Sequence, residues 1–102
     1  MSDYFADVQR YDNGANEDTV NKIVKHLGIA LRNRDSSLVS CSEKSERERV
    51  VEKWCGKKLG ITGDSAQKAV ENVCQTMKSD RNKSRVTFYY LVAKELNKLG
   101  TL

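Results

Sequence analysis

The stretch Asp80–Leu96, DRNKSRVTFYYLVAKEL, decides how this chain folds. A short basic loop holding Arg81, Lys83 and Arg85 runs straight into a segment whose apolar residues cover almost the whole helical circumference. Val86, Tyr89, Tyr90, Ala93 and Leu96 fall on one side, and Phe88, Leu91, Val92 and Leu99 on another. A helix that is apolar all round has to be surrounded, by its own bundle or, on one face, by a partner. The segment from Ser84 to about Lys98 is therefore expected to be the central helix, with Ser84 as its cap and Gly100 beyond its end.

Working outward, the remaining segments read as amphipathic helices. Ser2 caps a first helix to about Tyr11, with Tyr4, Phe5, Val8 and Tyr11 on one face, and the Asp12-Asn13-Gly14 turn ends it. Asn16 caps a second, whose stripe is Val20, Ile23, Val24, Leu27 and Leu31, with Gly28 beside the stripe as a point of close helix packing. A polar connector, Arg32–Ser37, leads to a single turn over Leu38–Cys41. Ser42 opens a third helix carrying Val50, Val51, Trp54, Cys55 and Leu59, stopped by Gly60. Thr62 or Asp64 caps a fourth, with Ala66, Ala69, Val70, Val73 and Met77 as its stripe. The 102 residues contain no proline and six glycines, so little interrupts helices, and no run alternates long enough to make a convincing strand. The expectation is an all-α single domain, residues 1–102, built as a compact bundle of about five helices.

A faint internal echo adds a topological expectation. Residues 18–33 align with 64–79, matching Asp18/Asp64, Lys22/Lys68 and Val24/Val70; after one inserted residue, Arg34, Ser37 and Val39 match Arg81, Ser84 and Val86. This suggests two helix-loop-helix units with approximate twofold symmetry, in which the two basic connectors are equivalent.

Charge is distributed unevenly. Residues 1–19 carry five acidic groups against Arg10, a net of −4, which leaves +8 on the rest of a chain whose total is +4. The acidic start can partly neutralise the basic body if it packs across it. The basic balance is compatible with weak attraction to nucleic acid and equally with plain solubility. Cys41, Cys55 and Cys74 are odd in number and not closely spaced, and neither a signal peptide nor a membrane-length apolar run is read. Free thiols in a reducing cytoplasm, away from any membrane, are the expectation.

Sequence-local catalytic constellations are missing. His26 has no neighbouring cysteine or carboxylate and reads as a half-exposed helical histidine. A zinc site would require His26 and the scattered cysteines to converge, and no ligand pair has the usual short spacing. No metal and no cofactor are therefore called for, and an enzyme is not expected. What remains is an anion-binding candidate: Arg32 and Arg34 in the first connector, and Arg81, Lys83, Ser84 and Arg85 ahead of the last helix, whose N-terminal N–H groups and dipole favour an anion. The competing reading pairs these arginines with Asp35 and Asp80 and makes the loops structural. Tyr89 and Tyr90 read as packing residues rather than base-stacking ones.

The strings KIVKHLGIALRNRDSSLVSC (Lys22–Cys41), KKLGI (Lys57–Ile61) and MKSDRNKSRVTFYYLVAKEL (Met77–Leu96) resemble the bacterial family known as domain of unknown function 2853. The resemblance covers nearly the whole chain. It implies a small helical bacterial protein and brings no catalytic residues with it.

The leading functional expectation is a cytoplasmic, non-catalytic interaction module, self-associating or bound to a protein partner through Phe88, Tyr90, Leu91, Val92 and Leu99. The alternative is nucleic-acid or other polyanion binding through the basic loops. A third is a small-molecule site or enzyme between the two helical units, which would need His26 or a cysteine in a concave site.

Overall fold

The computed structural model describes residues 3–32, 37–80 and 83–101. Ser2, Arg34, Asp35 and Arg81, each given a role above, lie outside the described residues. Five helices follow in order: α1 (Asp3–Gln9), α2 (Glu17–Leu27), α3 (Lys44–Arg49, continued by a π-helical stretch, Val50–Leu59), α4 (Asp64–Thr76) and α5 (Arg85–Glu95). Short 3-10 turns occupy Gly28–Arg32 and Leu99–Thr101. The all-α bundle expected from the sequence is the architecture found.

α5 is the centre of it. Every residue from Arg85 to Ala93 is buried, and α1, α2, α4 and the π-helical stretch all pack against it. The helices around it contribute the stripes read from periodicity: Val8, Val20 and Ile23, then Val50, Trp54 and Leu59, then Ala66, Val70, Val73 and Met77. Trp54 is fully buried, stacks on Tyr89 with centroids 4.7 Å apart, and donates its indole N–H to the Tyr89 carbonyl at 3.0 Å. That bond satisfies the one polar atom of the largest core side chain.

This arrangement corrects the expected partner surface. Phe88 and Val92 are fully buried, Tyr90 is 2 % and Leu91 8 % exposed, and Leu99 packs half-buried against the same core. The apolar surplus of α5 is consumed by its own chain, because four neighbouring segments are enough to cover a helix of this length.

The connectors depart from expectation. Leu38–Cys41 is not a helical turn: Leu38–Val39 forms a strand, β1, paired antiparallel with β2 (Lys83–Ser84), Leu38 opposite Ser84 and Val39 opposite Lys83. The Arg85 N–H extends the ladder by donating to the Ser37 carbonyl at 2.8 Å. Two extended connectors meeting in space satisfy each other's backbone groups, which an isolated turn would not. The element order α2–β1–α3 and α4–β2–α5 follows the sequence echo, with one asymmetry: α5 starts directly after β2, whereas Ser40–Glu43 separate β1 from α3.

Helix ends show which local signals were read correctly. Asn16 caps α2, its side chain accepting from the Asp18 N–H at 2.8 Å, and Gly60 ends α3 in the left-handed region with φ +74°. Gly28 does not serve close packing, since a Cβ there would meet nothing within 4 Å; its φ of +39° is the reason for glycine. The fourth helix starts from Gly63 (φ +77°), not from a Thr62 or Asp64 cap, and α3 starts after Glu43 rather than Ser42. The second helix stops at Leu27, four residues before the predicted Leu31, where the 3-10 turn takes over.

Candidate functional site

The β1–β2 ladder brings the ends of the two connectors together, but the described members of the predicted set, Arg32, Lys83, Ser84 and Arg85, do not share one open surface. Arg85 is 5 % exposed and turned into the protein. Its guanidinium is ion-paired to Glu46 on α3 and donates to the Leu38 carbonyl at 3.1 Å and the Tyr89 hydroxyl at 3.2 Å. A cation removed from water must be held this way or it is expelled. The Ser84 hydroxyl is sealed from solvent without a hydrogen-bond partner and does not cap α5. With the Arg85 N–H also committed to Ser37, the α5 N-terminus is not the open anion site expected of it. Arg32 is exposed at the end of its 3-10 turn. Of the predicted set, Lys83 is the one among the described residues that lines the concave surface described below; Arg34 and Arg81 lie outside those residues.

The acidic N-terminal segment does pack across the body. Thr87, fully buried on α5, donates its hydroxyl to Asp7, and the Tyr90 hydroxyl donates to Asp12 at 2.7 Å, with Lys94 on the same carboxylate at 3.2 Å. Arg10 bridges Asp7 and Asp80, reaching Asp80 at 2.8 Å, and the Tyr11 hydroxyl donates to Asp80 as well. Asp80 thus serves the N-terminal segment. The Tyr90 hydroxyl holds the Asp12 carboxyl below its ordinary range, and the Tyr11 hydroxyl with Arg10 does the same for Asp80. Burial, then the hydrogen bond to Asp80, pushes the Tyr11 phenol up to about 12, and burial and Asp12 push Tyr90 up as well.

The surface that carries uncommitted charge lies on the other side of the ladder. A groove of about 560 Å³ is lined by Arg47, Lys78 and Lys83 together with Glu71, Ser42 and Gln75. Arg47 donates one guanidinium N–H to the Cys41 carbonyl, and Lys83 donates to the Asp80 carbonyl at 2.7 Å. An ammonium has three donors and a guanidinium five, so both keep donors for a ligand. Arg47 and Lys78 were missed by the sequence reading. One lies on an exposed helical face and the other just past the end of a helix, and only the tertiary fold places them beside Lys83.

Cys41 and Cys74 form part of the wall of this groove and are joined to each other, their Cα atoms 5.9 Å apart and their positions 33 residues apart in sequence. The expectation of three free thiols is corrected: Cys41 follows β1, Cys74 sits in the last turns of α4, and the fold closes a distance that sequence spacing does not show. Cys55 is the free cysteine among the described residues; it is fully buried, and burial pushes its thiol up to about 11. His26 is exposed and tilted over Trp54 at 5.2 Å between centroids, its proton affinity lowered by burial and by Lys58. Of the four side chains whose convergence was in question, two have met. No group of three or more His, Cys, Asp or Glu side chains able to hold a metal occurs among the described residues, and no helix there is long and apolar enough to cross a membrane.

A compact all-α bundle around one buried helix, with a basic groove over two paired connectors, defines a small helical protein. The chain belongs to the family described as Protein of unknown function (DUF2853), whose model matches residues 3–100. No curated protein matches it.

Proposed function

We propose that the protein is a non-catalytic interaction module whose partner presents an acidic segment to the groove between β1, α3 and α4. The observation that carries this reading is the placement of Arg47, Lys78 and Lys83 in one concavity with one carboxylate, Glu71, among the described residues that line it. Three cations there attract anionic chain from a distance, while Glu71 imposes a register on where the acidic side chains fall. Phosphate-bearing nucleic acid fits less well, because Phe88, Tyr89 and Tyr90, the aromatics that follow the basic loop, are buried and cannot stack bases. The proposed partner is assigned to the groove and not to α5, whose apolar residues are buried by the chain itself. We keep the cytoplasm as the proposed location; in a reducing compartment a disulfide such as Cys41–Cys74 is then transient or redox-sensing.

The test is a fluorescence-anisotropy titration of a labelled poly-glutamate peptide and a single-stranded DNA of equal length, at low and moderate salt. Wild type is compared with a Lys78→Gln/Lys83→Gln variant. Salt-sensitive peptide binding that the variant loses supports the reading. Binding of DNA alone transfers the groove to nucleic acid, and binding of neither removes the groove as a docking site.

A further inference from the structure

We propose that the Cys41–Cys74 disulfide is a thiol-exchange site selective for small thiols that carry a carboxylate. Both cysteines line the open groove, and both are only half-buried, so an attacking sulfur can reach them. The cations on the same wall, Arg47, Lys78 and Lys83, hold the carboxylate of an incoming thiol and favour the thiolate form of both the attacking and the leaving sulfur. A structural disulfide is typically shut inside an apolar core; this one is set among charges and solvent.

The two sulfurs are not equivalent. Arg47 donates to the Cys41 carbonyl, which places a guanidinium beside Cys41, whereas Cys74 lies towards the C-terminal, negative end of α4. The better leaving thiolate is therefore Cys41, and the sulfur attacked is Cys74. The thiolate of the small thiol attacks Cys74 Sγ; the new sulfur–sulfur bond forms as the Cys41–Cys74 bond breaks, and Cys41 leaves with the electron pair. A second molecule of the same thiol then attacks the small-thiol sulfur of this mixed disulfide. Cys74 leaves as thiolate, and the two small thiols depart as their own disulfide. The protein has gained two electrons and two protons, and the small thiols have lost them. Cys55 takes no part, being enclosed in the core.

Opening the bond frees Cys41, and with it the Ser40–Glu43 segment, from α4. The exchange shares its cations with the proposed docking groove but needs no partner. A protein that exchanges thiols selectively and binds no acidic peptide leaves this inference standing and removes the other.

The experiment reacts the folded protein with 3-mercaptopropionate, 2-mercaptoethanol and cysteamine at matched thiolate concentration, with acid quench, intact-mass measurement and peptide mapping. Circular dichroism on each product verifies that the helices persist. The expected order is anionic, neutral, cationic, spanning about tenfold at low salt and collapsing at high salt. The first adduct maps to Cys74. A Lys78→Gln/Lys83→Gln variant loses the order among the three thiols and also reacts more slowly with the neutral one, because the leaving thiolate has lost two of its cations. Equal rates for the three thiols, a cationic preference, a first adduct on Cys41, or Cys41 and Cys74 already free in protein purified under air would each overturn the proposal.

Discussion

On the α1 side of α5, charge is spent on the fold: Asp7 holds Thr87 and Arg10, Asp12 holds Tyr90 and Lys94, and Asp80 holds Arg10 and Tyr11. On the far side of the β1–β2 ladder, Arg47, Lys78 and Lys83 share a groove with Glu71, and the bonds given for Arg47 and Lys83 go to backbone carbonyls. The same residue types are structural in one place and available in the other. The difference follows from what lies beneath them. α5 carries the polar atoms of Thr87, Tyr89 and Tyr90 into the core, and those atoms demand partners. The groove is an open surface lined by residues of α3, α4 and the connector ends Cys41, Ser42 and Lys83, so water solvates what its cations do not bond.

The sharpest way to break this contrast is at Arg85, the cation drawn furthest inward. Arg85→Ala leaves Glu46 in a mostly buried site with Arg49, exposed and 3.8 Å away, as its remaining ion pair, and is expected to cost up to about 3–5 kcal/mol in urea unfolding, whereas an Arg85→Met/Glu46→Met double variant falls close to wild type. A double variant as damaged as the single would show that packing, not the charge pair, matters there. Next come the hydroxyls: Tyr90→Phe and Tyr11→Phe each remove a hydrogen bond to a carboxylate and should lose about 1.5–3 kcal/mol.

The pH profile of stability tests the same side of the molecule. Asp12 and Asp80 titrate lower in the folded state than in the unfolded chain, so their contribution is present above the ordinary carboxylate value of 3.8 and is lost as pH falls through the folded values. Tyr11, raised from 10.0 to about 12, contributes fully below 10 and ceases to as pH climbs through 12. Thermal melts across pH should therefore show a plateau with an acid and an alkaline shoulder, both reduced in the Tyr11→Phe protein. An unchanged acid shoulder in that variant would mean that Asp80 is held by Arg10 alone. The smallest effect is expected in the groove: Lys78→Gln/Lys83→Gln shifts stability by no more than about 0.5 kcal/mol, while abolishing selectivity for anionic peptides and thiols.

Much of the fold could be read from local pattern. The stripes of α2, α3 and α4 and the all-round apolar surface of Val86–Val92 depend on three- and four-residue spacing, which is a property of the chain itself. Asn16 and Gly60 likewise act on backbone within a few residues of themselves. The connectors were misread because a strand of two residues has no period to detect, and its reason for existing, the other connector, lies far along the chain, Leu38 opposite Ser84 and Val39 opposite Lys83. Among the described residues of the candidate site, Lys83 was legible; Arg85 carried the right charge in the right segment, yet was turned inward by Glu46, 39 residues away.

Helical class, the central place of α5 and the affinity of an acidic start for a basic body were settled by composition, periodicity and net charge, because each sums over many residues and tolerates local exceptions. Which cations remain free, which cysteines meet and which tyrosine holds which carboxylate were decided by the tertiary structure. Those outcomes each turn on a few ångströms between residues far apart in sequence, such as Cys41 and Cys74 or Asp7 and Thr87, and burial then converts such proximity into an obligation to pair.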